Sequence, residues 1–394
     1  MTRIIVAALL AGTSTTALAA GLDRSGQPMD ILFVEGNYVE LSFAHTSPSV
    51  SGDGTGVPGR PAFLPFLTQG TSYDGVAGDF NTVQLGVKYD FTDQLSGALF
   101  FDQPFGADIH WEGDPATTEL GGTTAEATSD NLSLLLRYKF DETWSVHGGI
   151  RIDRGSGEIA LGGLAYGAPP PTGAPPFAAG FNGYQVELDQ RVDVGWSVGA
   201  AYEIPEIALR VAVTYNSAIT HDFDTTESYG GTEIGESTTE VELPRSVNID
   251  FQTGIAEDTL LFGAFRWAEW SEFKIEPELF TAASGTGLVR QEDESTYTLG
   301  LARQFTRDFA GQVSVTYEDG FSTDLISPLT PTNGLFALAV GGAYDATEQV
   351  RLSGGVRYNW LGDAEAETGT PDTARAEMRD NSAVTVGFGI GYSF

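Results

Sequence analysis

From Asn381 to Phe394 the chain reads NSAVTVGFGIGYSF. Val384, Val386, Phe388, Ile390, Tyr392 and Phe394 fall on one face, and Ala383, Thr385, Gly387, Gly389, Gly391 and Ser393 on the other. Period two is the repeat of a strand, so this is a strand with one apolar face and one small, wettable face. Similar alternation recurs from residue 37 onward in about fourteen segments, an even count as single-chain bacterial barrels require. The third covers 94–104, the seventh 206–219, the eighth 244–255 and the ninth 259–273. Apolar stripes such as Val83, Leu85, Val87, Tyr89 and Leu132, Leu134, Leu136, Tyr138 point outward, with aromatic residues at strand ends. Lipid outside, lumen inside and aromatic girdles at both interfaces produce this pattern.

The links between segments alternate in length. Short ones fall at 90–94, 140–143, 203–206, 255–259, 304–308 and 344–348. Long ones, rich in Gly, Pro and acidic residues, fall at 46–78, 105–124, 161–182, 220–243, 274–293, 320–333 and 362–379. Short periplasmic turns and long outer loops are the outer-membrane rule, so both termini are expected in the periplasm. The pattern predicts an all-β fold, a transmembrane antiparallel β-barrel. A soluble sandwich buries one face of each sheet and would not show so many outward apolar faces. A propeller would show a repeat of 20–50 residues, and none stands out.

Residues 1–20 read as a signal peptide. Arg3 supplies the positive start, Ile4 to Leu10 the apolar run, and Ala17-Leu18-Ala19 a small-residue cleavage site. The apolar run is too short to span a bilayer. The chain has no Cys, which removes disulfides, cysteine zinc sites and thiol catalysis. Its net charge is −34, against a nucleic-acid partner, which would want a basic patch. Asp222, Asp224, Glu227, Glu233, Glu236 and Glu240 are placed in an outer loop as solvated charge. Carboxylates suit calcium, but no spaced calcium motif is present, so no metal site is expected.

Alternation forces charge into the lumen, because a charge facing lipid costs a few kcal/mol near the midplane, about 2–4 for Arg or Lys. Arg151, Arg266 and Arg357 come out at similar, middle height. They are candidates either to pair with Asp153, Asp193 and Asp250 or to meet an anionic head group, since the planar guanidinium fork bonds both carboxylate oxygens. Inward parity also gives Phe100, Leu135, Leu260, Phe262 and Trp270. A mixed apolar and cationic lining suits an amphipathic ligand. Of the four histidines, only His147 reads as well inside a strand, and no hydroxyl motif adjoins it. A hydrolase arrangement is therefore not supported.

Five stretches carry a family resemblance: GLDRSGQPMDILFVEGNYVELSF (Gly21–Phe43), PSVSG (Pro48–Gly52), DQPFGADI (Asp102–Ile109), LPRSVNIDF (Leu243–Phe251) and RWAEWSEF (Arg266–Phe273). In their order and spacing the chain resembles the FadL family of outer-membrane long-chain fatty-acid transporters, which also includes channels for aromatic hydrocarbons. The resemblance implies a fourteen-stranded barrel, an N-terminal plug in its lumen, an apolar ligand pocket, and a lateral gap at the third strand. The implied organisation is a signal peptide at 1–20, a plug at 21–36 and a barrel at 37–394. Leu22, Asp23 and Arg24 fall at the tip of the plug. The Asn-Pro-Ala motif common in the family's plug is missing. Pro104, Phe105 and Gly106 sit where the gap is expected. Pro104 lacks an N–H and Gly106 weakens a strand, so pairing should fail there.

The function expected is passive uptake of hydrophobic molecules across the outer membrane of a Gram-negative cell, with long-chain fatty acid first. An aromatic-hydrocarbon channel, a non-specific porin and an outer-membrane lipase are the alternatives. The expected ligand residues are Phe100, Leu135, Arg151, Leu260, Phe262, Arg266 and Arg357. No catalysis and no cofactor are expected. The partners are the hydrophobic small molecule and membrane lipid, and a monomer is the default for a barrel without edges.

Overall fold

The computed structural model describes residues 22–56, 70–369 and 372–394; the signal peptide expected at 1–20 lies outside them. The wall is a closed antiparallel barrel of fourteen strands. They are β1 (Tyr38–Ser49), β2 (Phe80–Asp90), β3 (Leu95–Asp102, resuming at Gly106–His110), β4 (Thr124–Lys139) and β5 (Trp144–Leu161). Then come β6 (Tyr184–Ile204), β7 (Leu209–Asn216, resuming at Ile219–Tyr229), β8 (Thr232–Leu243, resuming at Ser246–Ala256) and β9 (Thr259–Ala268). The last are β10 (Glu294–Gln304), β11 (Phe309–Glu318), β12 (Leu335–Asp345), β13 (Val350–Leu361) and β14 (Ser382–Ser393). β14 pairs with β1 in unbroken register from Tyr38–Ser393 to Ser49–Ser382 and closes the barrel.

Parity decides which side chains meet lipid. Leu134 and Leu136 are half exposed, whereas their neighbours Leu135 and Arg137 are buried. Aromatic pairs band the wall: Trp144–Tyr202 at 4.8 Å near the short turns, Tyr358–Trp360 at 4.7 Å toward the other end. The short turns share one device. Thr92, Thr306 and Thr347 each accept, on the side-chain oxygen, the N–H three residues on, at Leu95, Phe309 and Val350. Asp141 does the same for Trp144 at 2.7 Å. Such local side-chain bonds are why these residue types mark turns.

The long links are more ordered than their composition suggests. The stretch 220–243 is not a loop. It is the upper half of β7 and β8, joined by Gly230 and Gly231 with φ of 58° and 73°, the conformation a two-residue hairpin turn requires. Its acidic residues alternate. Asp222, Asp224 and Glu240 face water, whereas Glu227 is buried. Glu227 accepts the Tyr184 hydroxyl and the Leu279 and Phe280 N–H groups, each at 2.8 Å, which caps the short helix α1 (Glu278–Ser284). β9 ends at Ala268 rather than running to 273; Trp270–Glu272 is a 3-10 turn folded inward. Segments of the first, sixth and seventh long links pair into a five-stranded cap sheet: Gly52–Gly54, Ser72–Tyr73, Leu325–Ile326, Ala364–Thr368 and Thr373–Met378.

Candidate functional site

Residues 22–36 lie inside the barrel in two anchored pieces. The lower piece is the 3-10 turn Asp30–Phe33. The Phe33 ring has the Arg137 guanidinium 4.4 Å from its centroid and that of Arg210 at 4.5 Å, so two cations hold one ring. Arg210 also pairs with Asp30 at 2.9 Å. Burial pushes the Asp30 carboxyl up, with Arg210 opposing it. Phe100 and Leu135 belong to the apolar cluster around this turn, with Met29, Ile31 and Leu32. These two expected ligand residues therefore pack against the segment itself.

The upper piece is Leu22–Ser25. Asp23 pairs with Arg266, and Ser25 donates to Asp102 at 2.7 Å. Backbone bonds tie it to β3. The Arg24 N–H donates to Pro104 O at 2.6 Å, and the Gly106 N–H to Leu22 O at 3.0 Å. Asp23 and Phe105 form an isolated antiparallel bridge. The N-terminal segment thus acts as a short extra strand on the broken stretch of β3.

The break itself is plain in the ladder. β2 pairs with β3 only from Asp90–Ser96 to Leu85–Phe101. Above that, the Val83 N–H is taken by the Gln103 side chain at 3.1 Å. β3 rejoins β4 at Gly106–Thr128. The missing Pro104 N–H removes one donor from the seam. Gly106 leaves room for Arg24: a Cβ there would lie 2.5 Å from the Arg24 guanidinium carbon. That guanidinium sits 4.2 Å over the Phe80 ring, and burial lowers its pKa to about 10, with Asp108 opposing the drop.

Beside the break lies an apolar cavity of about 90 Å³. Phe105, Ala125, Leu188, Phe223, Trp270 and Phe273 are among its walls, and Phe105 meets Trp270 edge to face at 5.4 Å. Its polar end holds Ser129, Asp153 and His221. His221 Nδ1 lies 2.8 Å from Asp193 and Nε2 3.2 Å from Asp153, while Ser129 donates to Asp153 at 2.7 Å. The indole N–H of Trp270 is buried and has no acceptor among the described residues. Among the described residues, no Arg or Lys lines the cavity.

The expected ligand residues are thus dispersed. Arg266 is occupied by Asp23, Ser246 and Asn248. Arg357 donates to Asn359 at 2.6 Å, and its Nη2 is buried without a partner among the described residues. Arg151 is buried on β5, two residues before Asp153. Phe262 lies over Gly300 on the lumen side of β9, and Leu260 sits toward the short turn. None of these five lines the cavity. Pro104, Phe105, Gly106, Leu22, Asp23 and Arg24 are brought together in one place. His221 and Phe223 were hidden in an acidic run, HDFDTTES, yet the alternation of His221, Phe223, Thr225, Glu227 and Tyr229 was a legible signal.

Residues 59–394 match the family described as "Outer membrane protein transport protein (OMPP1/FadL/TodX)". The chain belongs to this family. Among solved structures, a FadL homologue of Pseudomonas aeruginosa superimposes with a TM-score of 0.73 at 15% identity, over 98% of each chain. The toluene transporter TodX of P. putida gives 0.62 at 14% identity, over 93% of this chain and 92% of the other. The toluene transporter TbuX of Ralstonia pickettii gives 0.60 at 13%, over 92% and 91%. No curated protein matches the sequence. As a FadL/TodX-family barrel, the protein resides in the Gram-negative outer membrane, and its family transports hydrophobic small molecules.

Proposed function

We propose that the protein conducts neutral hydrophobic molecules of about the size of a single aromatic ring, which leave through the break in β3. The observation that carries this is the cavity behind Phe105. It is apolar, it adjoins the break, and its polar end is acidic rather than cationic. Its volume, about 90 Å³, is of the order of apolar cavities that take up benzene, roughly 150 Å³. It is small beside the roughly 300–1,000 Å³ typical of larger ligand sites. Two similar structures are those of proteins named as toluene transporters.

The fatty-acid reading keeps one specific support, the unpartnered Arg357 Nη2, which a carboxylate could meet. Competition separates the two. Radiolabelled toluene, as the probe, is bound to the purified barrel and displaced by unlabelled toluene, oleyl alcohol or oleate. Toluene is expected to displace the probe, with oleate no better than oleyl alcohol. A preference for oleate of tenfold or more, lost in Arg357→Gln, would establish the fatty-acid reading instead; tenfold corresponds to about 1.4 kcal/mol.

A further inference from the structure

The wall has a second gap, on the other side of the same cavity. β6 and β7 pair from Leu209–Ile204 up to Asn216–Ser197, and pair again only from Thr225–Leu188 to Tyr229–Tyr184. Between these stretches, residues 189–196 of β6 and 217–224 of β7 share no ladder. The lower rim is Trp196–Ser217, where the Ser217 N–H donates to Trp196 O and the Trp196 N–H to Ser217 Oγ, both at 2.9 Å. Above it only side chains cross: Asp193 to His221 at 2.8 Å, and Arg191 to Asp224 at 3.4 Å.

The cause lies in β7. It breaks at 217–218, level with the break of β8 at 244–245, and its upper half leans over the lumen. A Cβ on Gly155 of β5 would lie 3.4 Å from Phe223 and 3.7 Å from His221, so these side chains pass inside β6 and reach the strand beyond it. Every other strand neighbour of β6 at this height is satisfied, because β5 pairs with it from Ile150–Trp196 to Gly155–Arg191.

Unpaired backbone is not tolerated against hydrocarbon, but it is where it meets water or lines a cavity. The gap meets this condition. Its two edges differ in polarity: Trp196 at the rim and Val194 and Val192 above it on β6 are exposed apolar groups, whereas Thr220, Asp222 and Asp224 on β7 are exposed polar ones. Trp196 stacks with Tyr215 at 5.3 Å, as interfacial aromatic residues do. The gap therefore opens at the outer lipid–water boundary. On its inner side, Leu188, His221 and Phe223 are cavity walls, opposite Phe105 and Gly106.

We propose that this gap is a second lateral port, through which a neutral hydrophobe passes between the cavity and the outer boundary of the membrane, and that the Asp193–His221 bridge is its latch. This rests on the reading above that such a molecule occupies the cavity. The two ports flank one binding place, so a molecule can enter at the β6–β7 side and leave at the β3 side without traversing the plugged lower lumen. The latch is made of side chains, so it opens by rotamer change and leaves the ladder intact.

The absence of native Cys makes a direct test available. Asp193→Cys/His221→Cys is expressed in full-length barrel in whole cells, and entry of radiolabelled toluene, the probe, is followed before and after bridging with a short thiol-reactive cross-linker. Ala200→Cys/Val213→Cys, partners in the closed part of the same seam, is the control. Heat-modifiable migration reports that each barrel is folded. Before bridging, loss of the latch should raise entry at least twofold over wild type; bridging should lower it at least fivefold, and a reversible linker should restore it on reduction. Single His221→Ala should raise entry as well. Unchanged entry after bridging, with probe binding to the purified barrel retained, overturns the port and leaves the transport reading standing. If the wild-type barrel binds no probe, the transport reading fails and the port falls with it.

Discussion

Asp23 Oδ2 accepts from Nε of Arg266 at 2.9 Å and lies 2.8 Å from its Nη2 as an ion pair, so the first acidic residue of the chain holds an arginine of β9. Both are almost wholly buried, at 1% and 8% exposure. Removing one member of a buried pair costs about 3–5 kcal/mol, because the other is left as an uncompensated charge. The ladder of β9 does not depend on the pair. Asp23→Ala is therefore expected to free residues 22–28 while the barrel stays folded. Hydrogen exchange should report faster exchange at Arg24 and Gly106, whose N–H groups bond across this seam, and no change in β9.

Gly106→Ala tests the seal at the β3 break. The new Cβ would meet the Arg24 guanidinium at 2.5 Å, and the flexible arginine end must swing off the Phe80 ring. The lost cation–π contact is worth about 0.5–2 kcal/mol. The expected outcome is faster entry of toluene with unchanged barrel stability. Pro104→Val alone, which restores a donor and strand propensity while leaving Arg24 in place, should slow entry several-fold. Equal entry in all three would separate the break from transport.

The outline of the barrel was legible because period two and the alternation of link lengths are properties of the whole wall. Leu132, Leu134, Leu136 and Tyr138 face lipid, where alternation puts them. The site was legible only where backbone chemistry marks it, at Pro104 and Gly106. Arg266 was not assignable, since its partner Asp23 lies 243 positions away and reaches it only through the folded plug. Phe100 and Leu135 carry the right polarity for a ligand wall, but the same polarity serves Ile31 and Leu32 of the plug. Most of the cavity wall lies on strands β3 to β8; Trp270 read as inward by parity, on a ninth strand that ends at Ala268, whereas Phe273 and Ile275 lie on the link beyond it, where no periodicity announces them.

Glu367 gives the cap sheet a pH dependence. Burial, with Asp372 adding to it, pushes its carboxyl up to about 7, against the opposing Arg290 and Arg375. A folded-state pKa above the unfolded one means that the folded cap holds the proton longer. The cap is then favoured at low pH, and this advantage is lost as pH rises from about 4.5 through about 7. Amide exchange across 364–368 should accelerate between pH 5 and about 8, after correction for intrinsic exchange. In Glu367→Gln that acceleration should flatten.

The central claim, that hydrophobes pass through the cavity behind Phe105, is tested most directly by filling it. Ala125 is a buried wall residue of β4 at the cavity, and Ala125→Trp would occupy the space from a position outside both the N-terminal segment and the β3 break. Small-to-large changes in a packed interior typically cost about 1–3 kcal/mol, which a barrel ladder should withstand. Toluene uptake by cells expressing wild type and Ala125→Trp, matched for folded barrel in the outer membrane, is the measurement. The expected result is uptake at least tenfold slower in the variant. Uptake equal to wild type, with the tryptophan in place and the barrel folded, would contradict the account.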